Sequence, residues 1–286
     1  MQNAFTIDNL TYKYPTAKAD VIKGITFDVR QGEIFGLLGP SGAGKSTTQK
    51  ILTKLLDGYN GMISYFDKDL KKQTNAFYEE IGVGFEMPVH FGKLTAIENM
   101  NYFSSFYKNK ANIRELMERV GLWEHRNIKV IEYSKGMKVR LNFVRSMLNN
   151  PKVLFLDEVT NGLDPKNAKI IKDMIAEYKQ NGGTVFLTTH LMNDVEQLCD
   201  RIAFCVEGTL GETSTPRDLK LKYGKREVKV EYHENGATEA RTFELDGIGD
   251  NDEFHSLLKA KKIETIHSGE TSMEDIFIIV TGVGLK

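Results

Sequence analysis

Residues 39–46 read Gly-Pro-Ser-Gly-Ala-Gly-Lys-Ser, with Thr47 next. This is the full GxxxxGKS spacing of a phosphate-binding loop. Backbone N–H groups of such a loop converge on a β-phosphate, and the positive end of the following helix favours anionic charge there. Lys45 is placed to reach the β- and γ-phosphates, and the Ser46 hydroxyl to ligate Mg²⁺. Gly39, Gly42 and Gly44 let the backbone approach without a Cβ clash; Pro40, Ser41, Ala43 and Thr47 fill out the loop. Phosphoryl chemistry also needs an acid to organise the metal and a base for the attacking water. The apolar run Val153-Leu154-Phe155-Leu156 ends in Asp157-Glu158, which supplies both. Asp157 would contact Mg²⁺ through water, and Glu158 would polarise the nucleophile, a contribution of about 10²–10⁴-fold. His190, after Leu187-Thr188-Thr189, would contact the γ-phosphate and hold the water in line. The chemistry predicted is binding and hydrolysis of a nucleoside triphosphate.

These groups need strand ends to hold them. Glu33-Ile34-Phe35-Gly36-Leu37-Leu38 leads into the loop as a strand, and Ser46 to Leu56 leads out as a helix. Residues 151–157 and 184–189 are short continuous apolar runs of the kind buried in a parallel sheet. His190 follows the second of them, where ligands bind in open α/β sheets. The alternating runs of residues 4–38 predict strands of a partly antiparallel sheet, and residues 62–67 another strand. Residues 94–122 read as helices. Asp164-Pro165 reads as an N-cap with proline at the first helical position of a helix running to about Gln180. After Thr215-Pro216 the composition shifts: residues 217–229 carry six basic and two acidic side chains. Val228, Val230 and Tyr232 alternate, Asn235-Gly236 marks a hairpin turn, and helix, strand and helix follow near 252–261, 263–267 and 272 onward. Thr271 with Glu274 predicts a capping box for the last helix.

The 286 residues suit one large domain or one with a small appendix. A composition 41% hydrophobic and 27% charged is that of a globular protein, and a net charge of -1 gives no electrostatic drive toward nucleic acid or anionic lipid. Cys199 and Cys205 offer neither a disulfide framework nor metal-ligand spacing and suggest a reducing compartment. No secretion signal is evident at the start, and no run approaches 18 apolar residues, so a membrane role would come through a partner.

Between the phosphate loop and the Asp-Glu strand lies Tyr133-Ser134-Lys135-Gly136-Met137, followed by a helical run. A helix opened by Ser134 would offer a second anion site. In this position the pentapeptide resembles the signature motif of ATP-binding-cassette (ABC) ATPases, and the resemblance extends in order over residues 4–215. Gly39–Thr47 matches the Walker A loop, Asp157 and Glu158 Walker B, Gly162-Leu163-Asp164 the D-loop, and His190 the switch histidine. Tyr14 matches the aromatic residue that stacks on adenine; alternatively it is one of two sheet tyrosines with Tyr12. Glu86 stands where the family has the glutamine of its Q-loop, beside Mg²⁺ and the γ-phosphate. Lys135 and Met137 depart from the signature's first glycine and its glutamine, and Val159 stands where proline is usual.

The resemblance implies an α/β fold: a P-loop NTPase core of mainly parallel sheet, an antiparallel β subdomain, a helical subdomain at about 87–135, and a small α+β appendix. Residues 1–216 would form the nucleotide-binding domain and 217–286 the accessory domain. Two cassettes would sandwich two ATP molecules, with Ser134, Gly136 and Asp164 serving the nucleotide held by the partner's Lys45. The partner would be a second copy or a paralogue. The Ser-Lys-Gly-Met signature and the tail Thr-Ser-Met-Glu-Asp-Ile-Phe resemble the bacterial ABC-2-type drug and antibiotic-peptide export branch. The expected function is an ATPase subunit that drives a membrane permease from the cytoplasmic face, without a span of its own and without nucleic acid. Tyr102, Phe103, Phe106 and Tyr107 form i,i+4 pairs that would pack the helical subdomain or receive a permease helix. The alternative is a soluble ABC ATPase acting on nucleic acid or as a regulatory switch; the near-neutral charge, single cassette and lack of a coiled-coil insertion argue against it.

Overall fold

The alternating runs near the N-terminus pair as β1 (Asn3–Tyr12) and β2 (Ile22–Arg30), antiparallel. Phe5, Ile7 and Leu10 are buried on β1 while Asp8 is exposed, the pattern of a half-buried strand. The structure, a computed structural model, describes residues 2–87, 89–234, 236–269 and 271–283. The chain divides into two units, one reaching Pro216 and the other spanning Arg217–Val283.

In the first unit, β3 (Ile34–Leu38) is buried throughout and runs into α1 (Lys45–Leu52). The sequence predicts this helix to Leu56, but it stops at Leu52. Lys54 turns left-handed at φ 57, and Leu55 and Leu56 both donate back to the Lys50 carbonyl. β4 (Asn60–Tyr65) and β5 (Lys68–Asp69) complete a four-stranded antiparallel sheet, order β2-β1-β4-β5. Then come α2 (Ala76–Glu80), β6 (Ile81–Gly84), α3 (Ala96–Ser104), α4 (Ile113–Arg119), α5 (Lys135–Ser146) and β7 (Val153–Asp157). They are followed by α6 (Pro165–Gln180), β8 (Thr184–Thr189), α7 (Met192–Leu198), β9 (Arg201–Val206) and β10 (Thr209–Ser214). The central sheet has order β10-β9-β3-β8-β7-β6 and is parallel except for the edge strand β10. It is an α/β core of mainly parallel sheet with an antiparallel partner sheet.

Rings from both sheets lock the layers together. Phe27 stacks on Phe35 at 5.4 Å, Phe35 on Phe186 at 6.0 Å, and Phe5 meets Phe155 edge-on at 5.6 Å. All five are buried, so the sheet ends that carry the loops rest on a dense aromatic core. Helix α5 lies directly on β6: a Cβ on Gly82 would sit 1.9 Å from the Ser146 carbonyl oxygen, so only glycine permits that approach. Helix α3 opens with a capping box between Thr95 and Glu98 and ends at Ser104, which leaves Phe106 and Tyr107 in the turn beyond it. Tyr102 and Phe106 still meet edge-on at 5.1 Å, and Phe103 stacks on Phe91 at 5.7 Å beneath the Arg145 guanidinium.

The second unit begins within α8 (Pro216–Tyr223) and contains β11 (Glu227–Glu234), β12 (Ala237–Glu244), α9 (Asp252–Ala260), β13 (Lys262–Gly269) and α10 (Met273–Thr281). Its antiparallel sheet has order β12-β11-β13 around Val228, Val230, Tyr232, Phe243 and Leu257. Asn235 of the expected hairpin turn lies outside the described residues; Gly236 follows at φ 82. The cap of α10 differs from expectation. Ser272, not Thr271, takes the N-cap and accepts from the Asp275 N–H at 3.1 Å, because the Thr271 hydroxyl is engaged by the Lys225 N–H at 2.7 Å.

Candidate nucleotide site

The phosphate loop follows from the close approach of two strands. A Cβ on Gly39 would lie 2.0 Å from the Cys205 carbonyl oxygen on β9, so the exit of β3 admits glycine alone. Gly44 ends the loop at φ 109 and leads into α1 without a side-chain cap. The first-turn N–H groups of α1 are thus left for a ligand. Lys45 is only 8% exposed and folds back over the loop, donating to the Gly39 carbonyl at 2.7 Å and the Pro40 carbonyl at 3.1 Å. Behind it, the Cys205 thiol donates to the Ala43 carbonyl at 3.1 Å. Burial pushes that thiol up to about 11, which keeps it a donor at neutral pH.

The adjacent ends of β7 and β8 supply the acids and the histidine. Asp157 is buried and accepts a hydrogen bond from the Thr188 hydroxyl. Glu158 turns sharply at φ 50, with its N–H donating to the Thr188 carbonyl at 2.9 Å. Its Oε1 lies 2.7 Å from His190 Nδ1, and its Oε2 accepts from the Thr189 hydroxyl at 3.1 Å. Against a carboxylate, Nδ1 carries the proton, which leaves Nε2 for another partner. The His190 side chain is 41% exposed and that of Glu158 only 7%, so the histidine stands at the rim and the acid at the floor. Tyr14 shares a hydrogen bond with the Thr47 hydroxyl at 3.1 Å and packs edge-on against Tyr12 at 5.0 Å.

One cavity of about 430 Å³ is lined by Tyr14, Val21, Ser41 to Thr47, Glu86, Asp157, Glu158 and His190. Gly39 and Pro40 are outside its lining and act through the carbonyls that hold Lys45. Ser134, Gly136 and Asp164 are outside it as well. Ser134 caps α5, accepting from the Met137 N–H at 3.2 Å, and Asp164 caps α6, accepting from the Asn167 N–H at 3.1 Å. Hydrogen bonds from the Asn167 side chain and N–H hold the Asp164 carboxyl below its usual range. These two caps are neighbours: a Cβ on Gly162 would meet Lys135 Cε at 2.9 Å, and one on Gly136 would meet Leu163 Cδ2 at 3.5 Å. Thr188, Thr189 and Val21 belong to the site without having been singled out from sequence. Threonine and valine in an apolar run register as strand formers, so their contacts leave no pattern to read.

A family profile described as ABC transporter matches residues 22–161. A fluoroquinolones export ATP-binding protein of Mycobacterium tuberculosis is 47% identical over 278 residues, which is 96% of this chain and 92% of that one. The chain belongs to the ABC transporter family. The linearmycin resistance ATP-binding protein of Bacillus subtilis is 35% identical over 212 residues, 72% of this ABC protein and 68% of the relative. A solved ATP-binding subunit of an ABC transporter superposes with a TM-score of 0.70 at 26% identity, covering 77% of this chain and 93% of that one. A second profile, the fluoroquinolone efflux ABC transporter C-terminal domain, matches residues 226–270. This ABC protein is an ATP-binding subunit whose ATPase activity is coupled to transport. Among its described residues no helix is long and apolar enough to cross a membrane.

Proposed function

We propose that this subunit hydrolyses ATP in the 430 Å³ cavity and drives a separate permease that exports a drug of the fluoroquinolone kind. The observation that carries the reading is the meeting of the phosphate loop, two buried acids and a rim histidine around one space. The export substrate is supported by 47% identity to a fluoroquinolones export protein across nearly the whole chain, and by the efflux-type profile at 226–270. In this reading residues 1–216 are the nucleotide-binding domain, 217–286 an accessory domain, and the subunit works peripherally at the membrane.

Lys45 and the first-turn N–H groups of α1 bind the phosphates, and Tyr14 stacks on the base. Glu158 takes a proton from the attacking water while a ring N–H of His190 donates to the γ-phosphate side. The donors fit Mg²⁺: the Ser46 hydroxyl and Asp157 carboxylate are hard oxygens on one cavity wall, with Glu86 on the same lining. Mg²⁺ is commonly held by one or two side chains together with substrate phosphates. When bound, Mg²⁺ supplies charge neutralisation at the β- and γ-phosphates. Glu86 cannot donate a hydrogen bond while ionised, so it acts as an acceptor and a charge, not as the donor a glutamine would be. Ser134, Gly136 and Asp164, outside their own chain's cavity, serve the nucleotide of a second subunit.

The test is Glu158→Gln, expressed with the permease. Turnover should fall at least a hundredfold while ATP binding persists, and cellular fluoroquinolone should rise to the level of cells lacking the subunit. Wild-type turnover would remove Glu158 as the base. Unchanged drug accumulation with turnover lost would remove this substrate.

A further inference from the structure

The Thr189 hydroxyl touches the proposed base and has no assigned part in the reaction. It sits at the end of β8, 1% exposed. It donates to Glu158 Oε2 at 3.1 Å and accepts from the Leu191 N–H at 3.0 Å. The second bond fixes the sense of the first. A hydroxyl has a single proton, and with Leu191 N–H on a lone pair that proton is directed at the carboxylate.

Glu158 is held at four points: its N–H on the Thr188 carbonyl, its carbonyl by the Asn161 N–H, Oε1 on His190 Nδ1, and Oε2 on Thr189. These ties are not equivalent. The His190 side chain is 41% exposed at the cavity rim and is free to exchange partners when phosphate arrives. Thr189 is buried behind the acid and keeps its place. Resting on the reading of Glu158 as base, we propose that Thr189 is a positioning residue that holds Oε2 and so presents Oε1 to the water. As His190 turns to the γ-phosphate, Oε1 takes the water proton. The water oxygen bonds to the γ-phosphorus, and the bond to the β–γ bridging oxygen breaks, releasing ADP and phosphate. Without the Thr189 hydroxyl the carboxylate rotates once His190 leaves it, and near-attack geometry is lost.

A second brace between the same two segments provides a control. The Thr160 hydroxyl donates to Asp194, whose other oxygen lies 3.3 Å from Lys172 Nζ, and neither Thr160 nor Lys172 touches Glu158. Steady-state ATPase kinetics and melting curves of Thr189→Val, Thr189→Ser, Thr160→Val and Glu158→Gln decide the matter. Thr189→Val should lower kcat about tenfold or more with KM within twofold, and Thr189→Ser should restore kcat to within about threefold of wild type. Thr160→Val should melt earlier yet keep its kcat. Should Thr189→Val prove insoluble, Thr189→Ala is read in its place with the same kcat and KM expectation. Wild-type kcat in Thr189→Val, or kcat and KM failing together with no rescue by serine, overturns the proposal. If Glu158→Gln itself turns over normally, it is the base assignment that has failed, not the bond from Thr189.

Discussion

Tyr14 meets its neighbours in two ways. Its hydroxyl is tied to Thr47 on α1 and its ring rests edge-on against Tyr12, so the ring that lines the cavity is held from behind. Of the two readings open at the sequence level, sheet tyrosine does not hold, because β1 ends at Tyr12 and leaves Tyr14 beyond it; the adenine platform is the one proposed. Stacking of a base on an aromatic ring is worth about 1–3 kcal/mol. Tyr14→Ala should therefore weaken ATP binding by roughly five- to a hundredfold, and Tyr14→Phe by little, in a nucleotide titration. Equal losses would give the role to the hydroxyl instead. At this scale the sequence was most legible where chemistry demands a rare spacing: the loop from Gly39 to Thr47, the paired acids, and the histidine after β8. It was silent on side-chain direction. Nothing in the string shows that Lys45 folds onto its own loop, or that Thr189 faces Glu158 while its neighbour Thr188 faces Asp157.

Helix α5 is the element on which much of the site's outer wall depends. Its Asn142 donates to the Phe85 carbonyl at 2.8 Å, Arg145 donates to the Val89 carbonyl, and His90 Nε2 lies 3.3 Å from the Lys138 carbonyl. The segment carrying Glu86 is thereby fastened to the helix that begins at Ser134. Burial first, and then the positive charges of Arg145 and Lys138, hold His90 down to about 4. Its folded value is below the ordinary 6.5, so the unfolded chain takes up the proton first as pH falls. This contribution is fully present above about 6.5 and is lost between there and 4, with a slope of up to about 1.4 kcal/mol per pH unit. Melting temperature should drop less steeply over pH 7 to 4.5 in His90→Asn than in wild type; parallel curves would clear His90. Buried apolar runs made β7 and β8 legible, and Asp164-Pro165 the start of α6, whereas the ends of α1 and α10 were not. The stop of α1 depends on Lys54 adopting a left-handed turn, and the cap of α10 on a contact between Thr271 and Lys225 that is distant in sequence.

For the whole molecule, the position of Ser134 and Gly136 outside the cavity lining matters most. If they complete a second subunit's site, two inactive chains can complement one another. Lys45→Ala with an intact Ser134, mixed with Ser134→Arg carrying an intact Lys45, should form dimers with one complete site. The ATPase rate of the mixture should exceed that of either parent. No recovery at any ratio would place Ser134 in service of its own chain, or of none. Arrangement between subunits leaves no local trace in sequence beyond the motif itself, which is why it was legible only by resemblance. The fold-back of Lys45 has a bearing on life in a cell crowded with small anions. Its ammonium is already matched by the Gly39 and Pro40 carbonyls, so an incoming anion must displace those contacts rather than meet a bare cation. Orthophosphate meets fewer of the loop's donors than a polyphosphate does, so it gains less in return for breaking those contacts.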